Sequence, residues 1–198
     1  LESLQPTGAF KVRGAFNALS SLNEAERTRG EVAVGGGNHP RAIAYAAHQL
    51  GLSAVVCMAQ ATPESNKRFC QHYGARVELT SSRPQAYERA SEIAELEGRT
   101  LVHPYANPRV MAGQGTIGLE ILLQAPDVTD IFVSVGGGAL LSGITVAVKT
   151  LHPEVRIWAV ETQGTNTLER SLAAGVPVNL PILSKSQNHT LKGKTEAT

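Results

Sequence analysis

The sequence predicts an α/β protein made of two doubly wound, open-sheet lobes. Short apolar segments alternate with helical segments along most of the chain, and glycine follows the early helical segments. Two of the apolar segments run directly into glycine-rich loops. Strands this short and apolar, separated by helices, are typical of a parallel sheet that helices cover on both faces.

The first series of elements fills residues 31–102. A strand at 31–34 leads into three glycines, and further strands are predicted at 53–58, 75–79 and 100–102. Helices are predicted between them, at 39–50, 63–73 and 84–97. Each of these helices is followed by a glycine, the usual residue just beyond a helix C-terminus: Gly51, Gly74 and Gly98.

The second series begins after residues 103–108, whose two prolines suggest a crossing between two units. We predict helices at 113–123 and 140–151, and strands at 130–135 and 156–160. These elements assign residues 1–30 and 107–198 to a larger, incomplete lobe and residues 31–106 to a smaller α/β lobe. The tail from 184 to 198 is polar and has no clear periodicity.

Composition narrows the functional class. The chain has 18 basic and 17 acidic residues, a net charge of +1, which gives no reason to expect nucleic acid as a partner. No apolar run approaches the ~20 residues that span a membrane, and the first residues lack the apolar core of a secretion signal. With only two cysteines, we expect a cytoplasmic protein without a disulfide framework.

The strongest physical signal for a ligand is the loop Gly136-Gly137-Gly138-Ala139. It joins a buried strand to a helix, so that backbone N–H groups and the helix N-terminus converge on one point. This arrangement suits a phosphate group. It is neither a dinucleotide fingerprint nor a Walker loop. A tight turn that needs glycine for its backbone alone is the alternative.

A second glycine-rich loop precedes the helix at 39–50. Gly36 and Gly37 bring backbone close to a neighbour, and Asn38 offers both a donor and an acceptor. Asparagine before a helix is also a common N-cap, and His39 alone is more often an ordinary helix residue than a catalyst.

Lys11 is the candidate nucleophile. Phe10, Val12 and Ala15 surround it with apolar groups along the chain. Desolvation lowers the pKa of an amine toward the range in which it is nucleophilic.

These segments together resemble the threonine dehydratase and serine racemase family, within the fold-type II, tryptophan-synthase-β-like, pyridoxal-phosphate (PLP) enzymes. The segment from Glu2 to Ala15 resembles the family's lysine motif, and GGGNH its asparagine loop. VGGGALLSG resembles its glycine-rich phosphate loop, and MAGQGTIGLEIL, preceded by His103-Pro104, a stretch typical of the dehydratases. The resemblance covers about residues 1 to 180, with the motifs in the family's order.

The resemblance implies a role for each candidate residue. Lys11 is the Schiff-base lysine and then the base at the substrate α-carbon. Phe10 packs beside the cofactor ring, and Asn38 binds its 3′-oxygen. The phosphate is held by the loop and the start of its helix, Gly136, Gly137, Gly138, Ala139 and Leu140. The substrate is received by Gly36, Gly37, Asn38 and His39.

The implied reaction is β-elimination from L-threonine or L-serine, which gives a 2-oxo acid and ammonia. The serine that directly precedes Gly-Asn-His in the racemases is Gly36 here, which disfavours racemisation because glycine has no hydroxyl. Ala139 replaces the fourth glycine of the phosphate loop and is tolerable if its φ is negative. Some members bind a divalent cation near Glu161, but Thr167 stands where a second carboxylate is expected, so metal use stays open.

The alternatives are racemisation or β-replacement on the same scaffold, or a truncated module that binds PLP without turnover. The truncated-module alternative rests on the Ser or Thr that the family places at the pyridine nitrogen from its C-terminal portion. No segment of this sequence matches that portion. We therefore expect the family's chain to extend beyond both ends of this sequence. The expected partners are a small hydroxy amino acid and further copies of the chain in a homo-oligomer, without nucleic acid or membrane.

Overall fold

The computed structural model describes residues 1–178 and 191–196 and confirms the predicted α/β class. The chain divides into two compact units, Leu1–Gln114 and Gly115–Thr198. The predicted division into two lobes, residues 1–30 with 107–198 and residues 31–106, stays a prediction. The two compact units meet in the sequence at a different position, between Gln114 and Gly115. Each unit is described separately below.

Unit 1 starts with a single 3₁₀ turn at Glu2–Leu4 and continues with alternating helices and strands. In order they are α1 (Lys11–Ser20), α2 (Glu24–Arg29), β1 (Glu31–Val34), α3 (Asn38–Leu50), β2 (Ala54–Ala59), α4 (Glu64–His72), β3 (Arg76–Thr80), α5 (Arg83–Glu97), β4 (Thr100–Leu101) and the first part of α6 (Pro108–Gln124).

The four strands of unit 1 form one parallel sheet in the order β3-β2-β1-β4. Val32 of β1 pairs with Val55 of β2 on one side and with Leu101 of β4 on the other. All four residues of β1 are buried, as are the first five of β2, which explains why these strands are continuously apolar in the sequence.

Helices cover both faces of this sheet, so unit 1 is doubly wound as predicted. On one face Val32, Val34, Val55 and Cys57 pack against α5. The opposite face contributes to a core shared with α1, α3 and α4, to which Cys70 of α4 belongs. Both cysteines are free and fully buried.

The predicted helix ends are confirmed at the glycines. Gly51 and Gly98 are the C-caps of α3 and α5, with φ of 66° and 64°, a left-handed conformation that glycine adopts without strain. The predicted start of α6 at residue 113 is wrong. The helix begins at Pro108, because Asn107 Oδ1 accepts hydrogen bonds from the backbone N–H groups of Arg109 and Val110 and so caps it.

One close contact between two helices of unit 1 depends on glycine. A Cβ on Gly113 of α6 would lie 2.6 Å from the carbonyl oxygen of Arg13 and 2.6 Å from Gly14 Cα, both in α1. The backbones of α1 and α6 therefore touch at this point without an intervening side chain.

Unit 2 contains the rest of α6 and a three-stranded sheet. Its elements are β5 (Asp130–Ser134), α7 (Ala139–Leu151), β6 (Arg156–Thr162), α8 (Thr167–Ala174) and β7 (Leu191–Glu196). β5 and β6 are parallel, and β7 is antiparallel to β6. The tail, whose sequence has no clear periodicity, forms β7 at Leu191–Glu196, whereas residues 179–190 and 197–198 lie outside the described part of the chain.

The strands β5 and β6 each alternate between more and less buried residues. Ile131, Val133, Ile157 and Ala159 face a core shared with α6 and α7. Phe132, which is 61% exposed, stacks on Trp158 with ring centroids 6.0 Å apart. Within residues 1–178 and 191–196, no helix is both long enough and apolar enough to cross a bilayer.

Candidate functional site

Lys11 is the first residue of α1 and is partly buried. Its Nζ donates a hydrogen bond to the carbonyl oxygen of Pro104 at 3.4 Å and lies 5.0 Å from the centre of the Phe10 ring. Burial lowers the pKa of the Lys11 amine below its ordinary value of 10.5. An amine with these surroundings is neutral, and so nucleophilic, at a lower pH than a lysine in water.

His39 lies in the first turn of α3 and is buried. Its Nε2 is 2.9 Å from the carbonyl oxygen of Val102, an acceptor, so this nitrogen carries the proton and donates it. Burial lowers the pKa of His39 to about 4, which makes the ring neutral at physiological pH. The predicted site residue therefore holds a neighbouring segment of backbone through one hydrogen bond.

The segment that His39 binds is the same one that accepts the bond from Lys11. His103 shapes it, because its Nδ1 accepts hydrogen bonds from the backbone N–H groups of Tyr105, at 3.3 Å, and Ala106, at 2.9 Å. Lys11 and His39 are thus connected through residues 102–104. The His103-Pro104 pair marks this segment in the sequence, but the bonds of the segment are not predictable from it.

Asn38 is the first residue of α3 rather than its N-cap. The N-cap is Gly37, and no side chain caps this helix. The Asn38 side chain is exposed, and among residues 1–178 and 191–196 no hydrogen-bond partner is found for its amide. The capping interpretation of Asn38 is therefore wrong, and its donor and acceptor are available to a ligand.

A side chain of α4 holds the loop before α3 through a hydrogen bond. Asn66 Nδ2 donates a hydrogen bond to the carbonyl oxygen of Gly36 at 2.8 Å. Thr62 also lies beside this loop: a Cβ on Gly36 would be 2.9 Å from Thr62 Oγ1. We did not predict either residue, and no motif in the sequence marks them.

The second glycine loop lies in unit 2, between β5 and α7. Gly138 is the N-cap of α7 with φ of 86°, and no side chain caps the helix. Ala139 is buried and has no positive φ, so the predicted tolerance of alanine here is confirmed. A Cβ on Gly136 or Gly138 would meet no atom within 4 Å. The loop is therefore open beside the uncapped N–H groups of the helix, where Leu140 is the second helical residue.

Glu161, the candidate metal ligand, is buried, and its carboxylate binds protein instead. Its two oxygens accept hydrogen bonds from the backbone N–H groups of Leu168 and Glu169, at 2.9 and 3.0 Å. The charge therefore stabilises the N-terminus of α8. No group of three or more His, Cys, Asp or Glu side chains suited to a metal occurs in the described ranges.

Unit 1 thus contains Lys11, Phe10 and the loop Gly36–His39, and unit 2 contains the loop at Gly136–Ala139. The individual roles that the resemblance implies for these residues remain predictions.

Comparison with known proteins identifies a family. The family described as "Pyridoxal-phosphate dependent enzyme" matches residues 1–196. The L-threonine ammonia-lyase of Thermotoga maritima is 44% identical over 176 residues, which cover 88% of this chain and 44% of the relative. The chain therefore spans about half the length of this curated relative.

Solved structures agree. Maize serine racemase superposes with a TM-score of 0.90 at 32% identity, over 98% of this chain and 60% of its own. The processed form of threonine deaminase isoform 2 from Solanum lycopersicum gives a TM-score of 0.89 at 32% identity, over 96% and 57%. The resemblance inferred from the four motifs is confirmed.

Proposed function

This chain belongs to the pyridoxal-phosphate-dependent enzymes, and from that premise we propose that it is part of a threonine or serine dehydratase. The proposed reaction is β-elimination from L-threonine or L-serine, which yields a 2-oxo acid and ammonia. The observation that carries the proposal is Lys11, a desolvated amine at a helix N-terminus with one hydrogen bond to a backbone carbonyl.

The residues present fit the cofactor. Lys11 supplies the amine for its aldehyde, and the exposed, unpartnered amide of Asn38 suits the ring's 3′-oxygen. The uncapped N-terminus of α7, with Gly136, Gly137, Gly138, Ala139 and Leu140, offers backbone donors for the phosphate. Phe10 supplies an apolar surface beside the lysine. When bound, pyridoxal phosphate supplies an electron sink for the negative charge that develops at the substrate α-carbon.

Lys11 has a second task in this proposal, which is to remove the α-proton. Its partial burial favours the neutral amine, the form that accepts a proton. A cation at the first position of α1 is further disfavoured by the positive end of the helix. The carbonyl of Pro104 orients the amine without itself exchanging a proton.

The substrate carboxylate is the group we assign to the loop before α3. The backbone N–H groups of Gly37, Asn38 and His39 are at the start of α3, where no side chain caps the helix. A helix N-terminus favours an anion. His39 is neutral there, so the attraction comes from the backbone and not from an imidazolium charge.

Two observations bear on the competing reactions. Gly36 has no hydroxyl of its own, which disfavours racemisation by the route of the racemases. The structural similarity to maize serine racemase keeps this reaction worth testing. We also propose that the protein is a cytoplasmic homo-oligomer and that its substrate is a small hydroxy amino acid. The proposed substrate is supported by the names of the relatives, which include threonine.

The test begins with the cofactor. The full chain, loaded with pyridoxal phosphate and reduced with borohydride, should carry a phosphopyridoxyl group on Lys11, which peptide mass spectrometry detects. Incubation of the unreduced protein with L-threonine should release ammonia and 2-oxobutyrate. Lys11→Ala should abolish both results.

Lys149→Ala is the matched control, because Lys149 Nζ also donates to a prolyl carbonyl, that of Pro153, at 3.1 Å. This variant should behave like the parent protein. An adduct on Lys11 without keto acid would favour the non-catalytic module, and D-serine formed from L-serine would favour the racemase. No adduct on Lys11 would overturn the cofactor assignment.

A further inference from the structure

The loop before α3 contains a position where a side chain is missing and a neighbour fills its place. Gly36 is exposed, and the three atoms nearest to a Cβ built on it all belong to Thr62: Oγ1 at 2.9 Å, Cγ2 at 3.6 Å and Cβ at 3.8 Å. Because Oγ1 is the nearest of the three, the hydroxyl of Thr62 is directed at the loop. A side chain at position 36 would have to displace it.

The hydroxyl of Thr62 has no structural use that would explain this position. Only 9% of the Thr62 surface is exposed, yet its Oγ1 has no hydrogen-bond partner among residues 1–178 and 191–196. Its backbone N–H, by contrast, is bonded to the carbonyl oxygen of Ala59. This hydroxyl is not among the fully buried polar atoms that lack a partner in the described ranges, so it is accessible, and a free hydroxyl next to a ligand-binding loop is available to the ligand.

The surroundings of this hydroxyl are fixed. Asn66 Nδ2 holds the carbonyl oxygen of Gly36 at 2.8 Å, which turns this carbonyl toward α4. The uncapped N–H groups at the start of α3 follow directly along the chain. The backbone groups that remain free for a ligand at the start of α3 are therefore N–H donors. A carboxylate accepts hydrogen bonds only, and it suits such a set better than any neutral group.

We propose that Thr62 is a further substrate-binding residue of the site, whose hydroxyl donates a hydrogen bond to the carboxylate of the amino-acid substrate beside the free N–H groups of Gly37 and Asn38. This inference rests on the proposed function, since it concerns the same substrate. Thr62 lies outside every motif recognised in the sequence. Its hydroxyl supplies a side-chain contact that the loop lacks, because position 36 is glycine.

The affinity for an unreactive amino acid tests the contact without turnover. L-alanine has no leaving group at its β-carbon, and its binding to the loaded full chain is followed by the absorbance of the cofactor. A hydrogen bond to a charged group is worth roughly a 10- to 100-fold change in the dissociation constant. Thr62→Val, which keeps the shape and removes the hydroxyl, should weaken L-alanine binding by about that factor. Thr62→Ser should bind within about 3-fold of the parent.

Thr28→Val is the matched control. Thr28 is an exposed threonine of α2 whose hydroxyl bonds to the carbonyl oxygen of Glu24, so the same chemical change there should leave L-alanine binding unaltered. With L-serine as substrate, Thr62→Val should raise KM by a similar factor, with a smaller effect on kcat, because the carboxylate contact is made in both the ground state and the transition state.

The decisive variant moves the hydroxyl from one residue to the other. Gly36→Ser alone should weaken binding, because its Cβ would crowd Thr62 Oγ1. The double variant Gly36→Ser with Thr62→Ala removes the crowding and restores a hydroxyl, and it should recover at least part of the affinity. The contribution of the hydroxyl is isolated by Gly36→Ala with Thr62→Ala, which removes the same crowding without restoring a hydroxyl and should not recover the affinity.

The outcomes separate the two proposals. If the parent protein forms no adduct on Lys11, the proposed function fails. If the adduct forms and Thr62→Val, with an unchanged melting temperature, binds L-alanine as tightly as the parent, the role of Thr62 is refuted while the function stands. If Thr62→Val does not fold, the double variant decides, and its failure to bind more tightly than Gly36→Ser overturns the inference.

Discussion

Lys11 Nζ donates its hydrogen bond to the carbonyl oxygen of Pro104, a residue 93 positions further along the chain. The bond gives the amine a fixed direction, while burial removes water that would otherwise stabilise its charged form. The carbonyl is in turn part of the segment held by His39 and His103. The reactivity of the lysine is therefore a property of folded unit 1 and not of the local sequence.

The first prediction concerns the pH dependence of that reactivity. The rate at which trinitrobenzenesulfonate modifies Lys11, followed by peptide mass spectrometry, should rise with pH to a midpoint below 10.5. The sign follows from burial, which disfavours the ammonium form and leaves more neutral amine at a given pH. In concentrated urea the midpoint should return to the ordinary value. Identical midpoints in the folded and unfolded protein would contradict the burial of Lys11.

The second prediction links His39 to stability in mild acid. Its pKa is about 4 in the folded protein, against an ordinary value of 6.5, so between these pH values the unfolded chain binds a proton that the folded chain does not. The free energy of unfolding should therefore fall as the pH drops from about 6.5 to 4, by about 3 kcal/mol from this residue.

The variant His39→Gln should lose this part of the pH dependence, as measured by urea denaturation at pH 4.5 and pH 7.5. His48→Gln, an exposed histidine of the same helix, should retain the dependence of the parent. Equal pH profiles for the parent and His39→Gln would show that His39 is not the group responsible.

The third prediction concerns Glu31, a fully buried residue at the start of β1. Neither of its carboxyl oxygens has a partner within the described part of the chain. Burial, partly offset by Arg99, raises the pKa of this carboxyl to about 8. The folded state then holds a proton that the unfolded state releases above pH 4.5, so this contribution to stability is lost as the pH rises through about 8.

Glu31→Gln removes the titrating group with little change in shape. It should stabilise the protein relative to the parent by about 5 kcal/mol at pH 8.5, and by much less at pH 5. Urea denaturation at the two pH values measures the difference, with the exposed Glu88→Gln as control. A stabilisation that is independent of pH would mean that Glu31 does not titrate between them.

The fourth prediction concerns the contact between α1 and α6. Gly113→Ala would place a Cβ 2.6 Å from backbone atoms of Arg13 and Gly14, which the helices can relieve only by moving apart. We expect a loss of about 2–3 kcal/mol in the free energy of unfolding. Ala112→Gly, at the neighbouring exposed position of α6, should cost no more than about 1 kcal/mol. Equal losses would mean that helix propensity, and not crowding, governs the site.

The fifth prediction distinguishes two glycines of the phosphate loop. Neither Gly136 nor Gly138 has an atom within 4 Å of a Cβ, but only Gly138 of these two has a positive φ, of 86°. Gly138→Ala should therefore cost about 1–2 kcal/mol of stability through backbone strain, and Gly136→Ala should not. Both variants should weaken pyridoxal phosphate binding, because each adds a side chain where the backbone approaches the anion. Unchanged cofactor affinity in both would remove the phosphate assignment.

Local patterns predicted much of the fold. The strands of unit 1 are short and apolar because both of their faces are buried, and helix ends at Gly51 and Gly98 have a backbone conformation that favours glycine. The start of α6 was missed because the cap at Asn107 lies inside a stretch whose two prolines suggested a loop. Helix α1 was not predicted either, since its residues were interpreted through the lysine motif alone.

Only those residues of the candidate site that belong to a sequence motif could be predicted. Lys11, Asn38 and the glycine loops stand in recognisable segments, but Pro104 and Val102 act through backbone carbonyls, which no residue type encodes. Thr62 is an ordinary residue in the sequence. Its importance comes from the absence of a side chain at Gly36, and that relationship exists only once β2 and α4 have brought the two together.

The two buried cysteines of unit 1 lie on opposite faces of its sheet, so their reaction with an alkylating reagent reports the opening of each face separately. Burial raises the pKa of Cys57 to about 11 and that of Cys70 to about 12, so neither thiol reacts at neutral pH until its own layer opens. Cys57 packs with α5 and Cys70 belongs to the core on the other side. The two rates of alkylation, measured residue by residue under native conditions, would therefore time the separate opening of each helical layer without any engineered label.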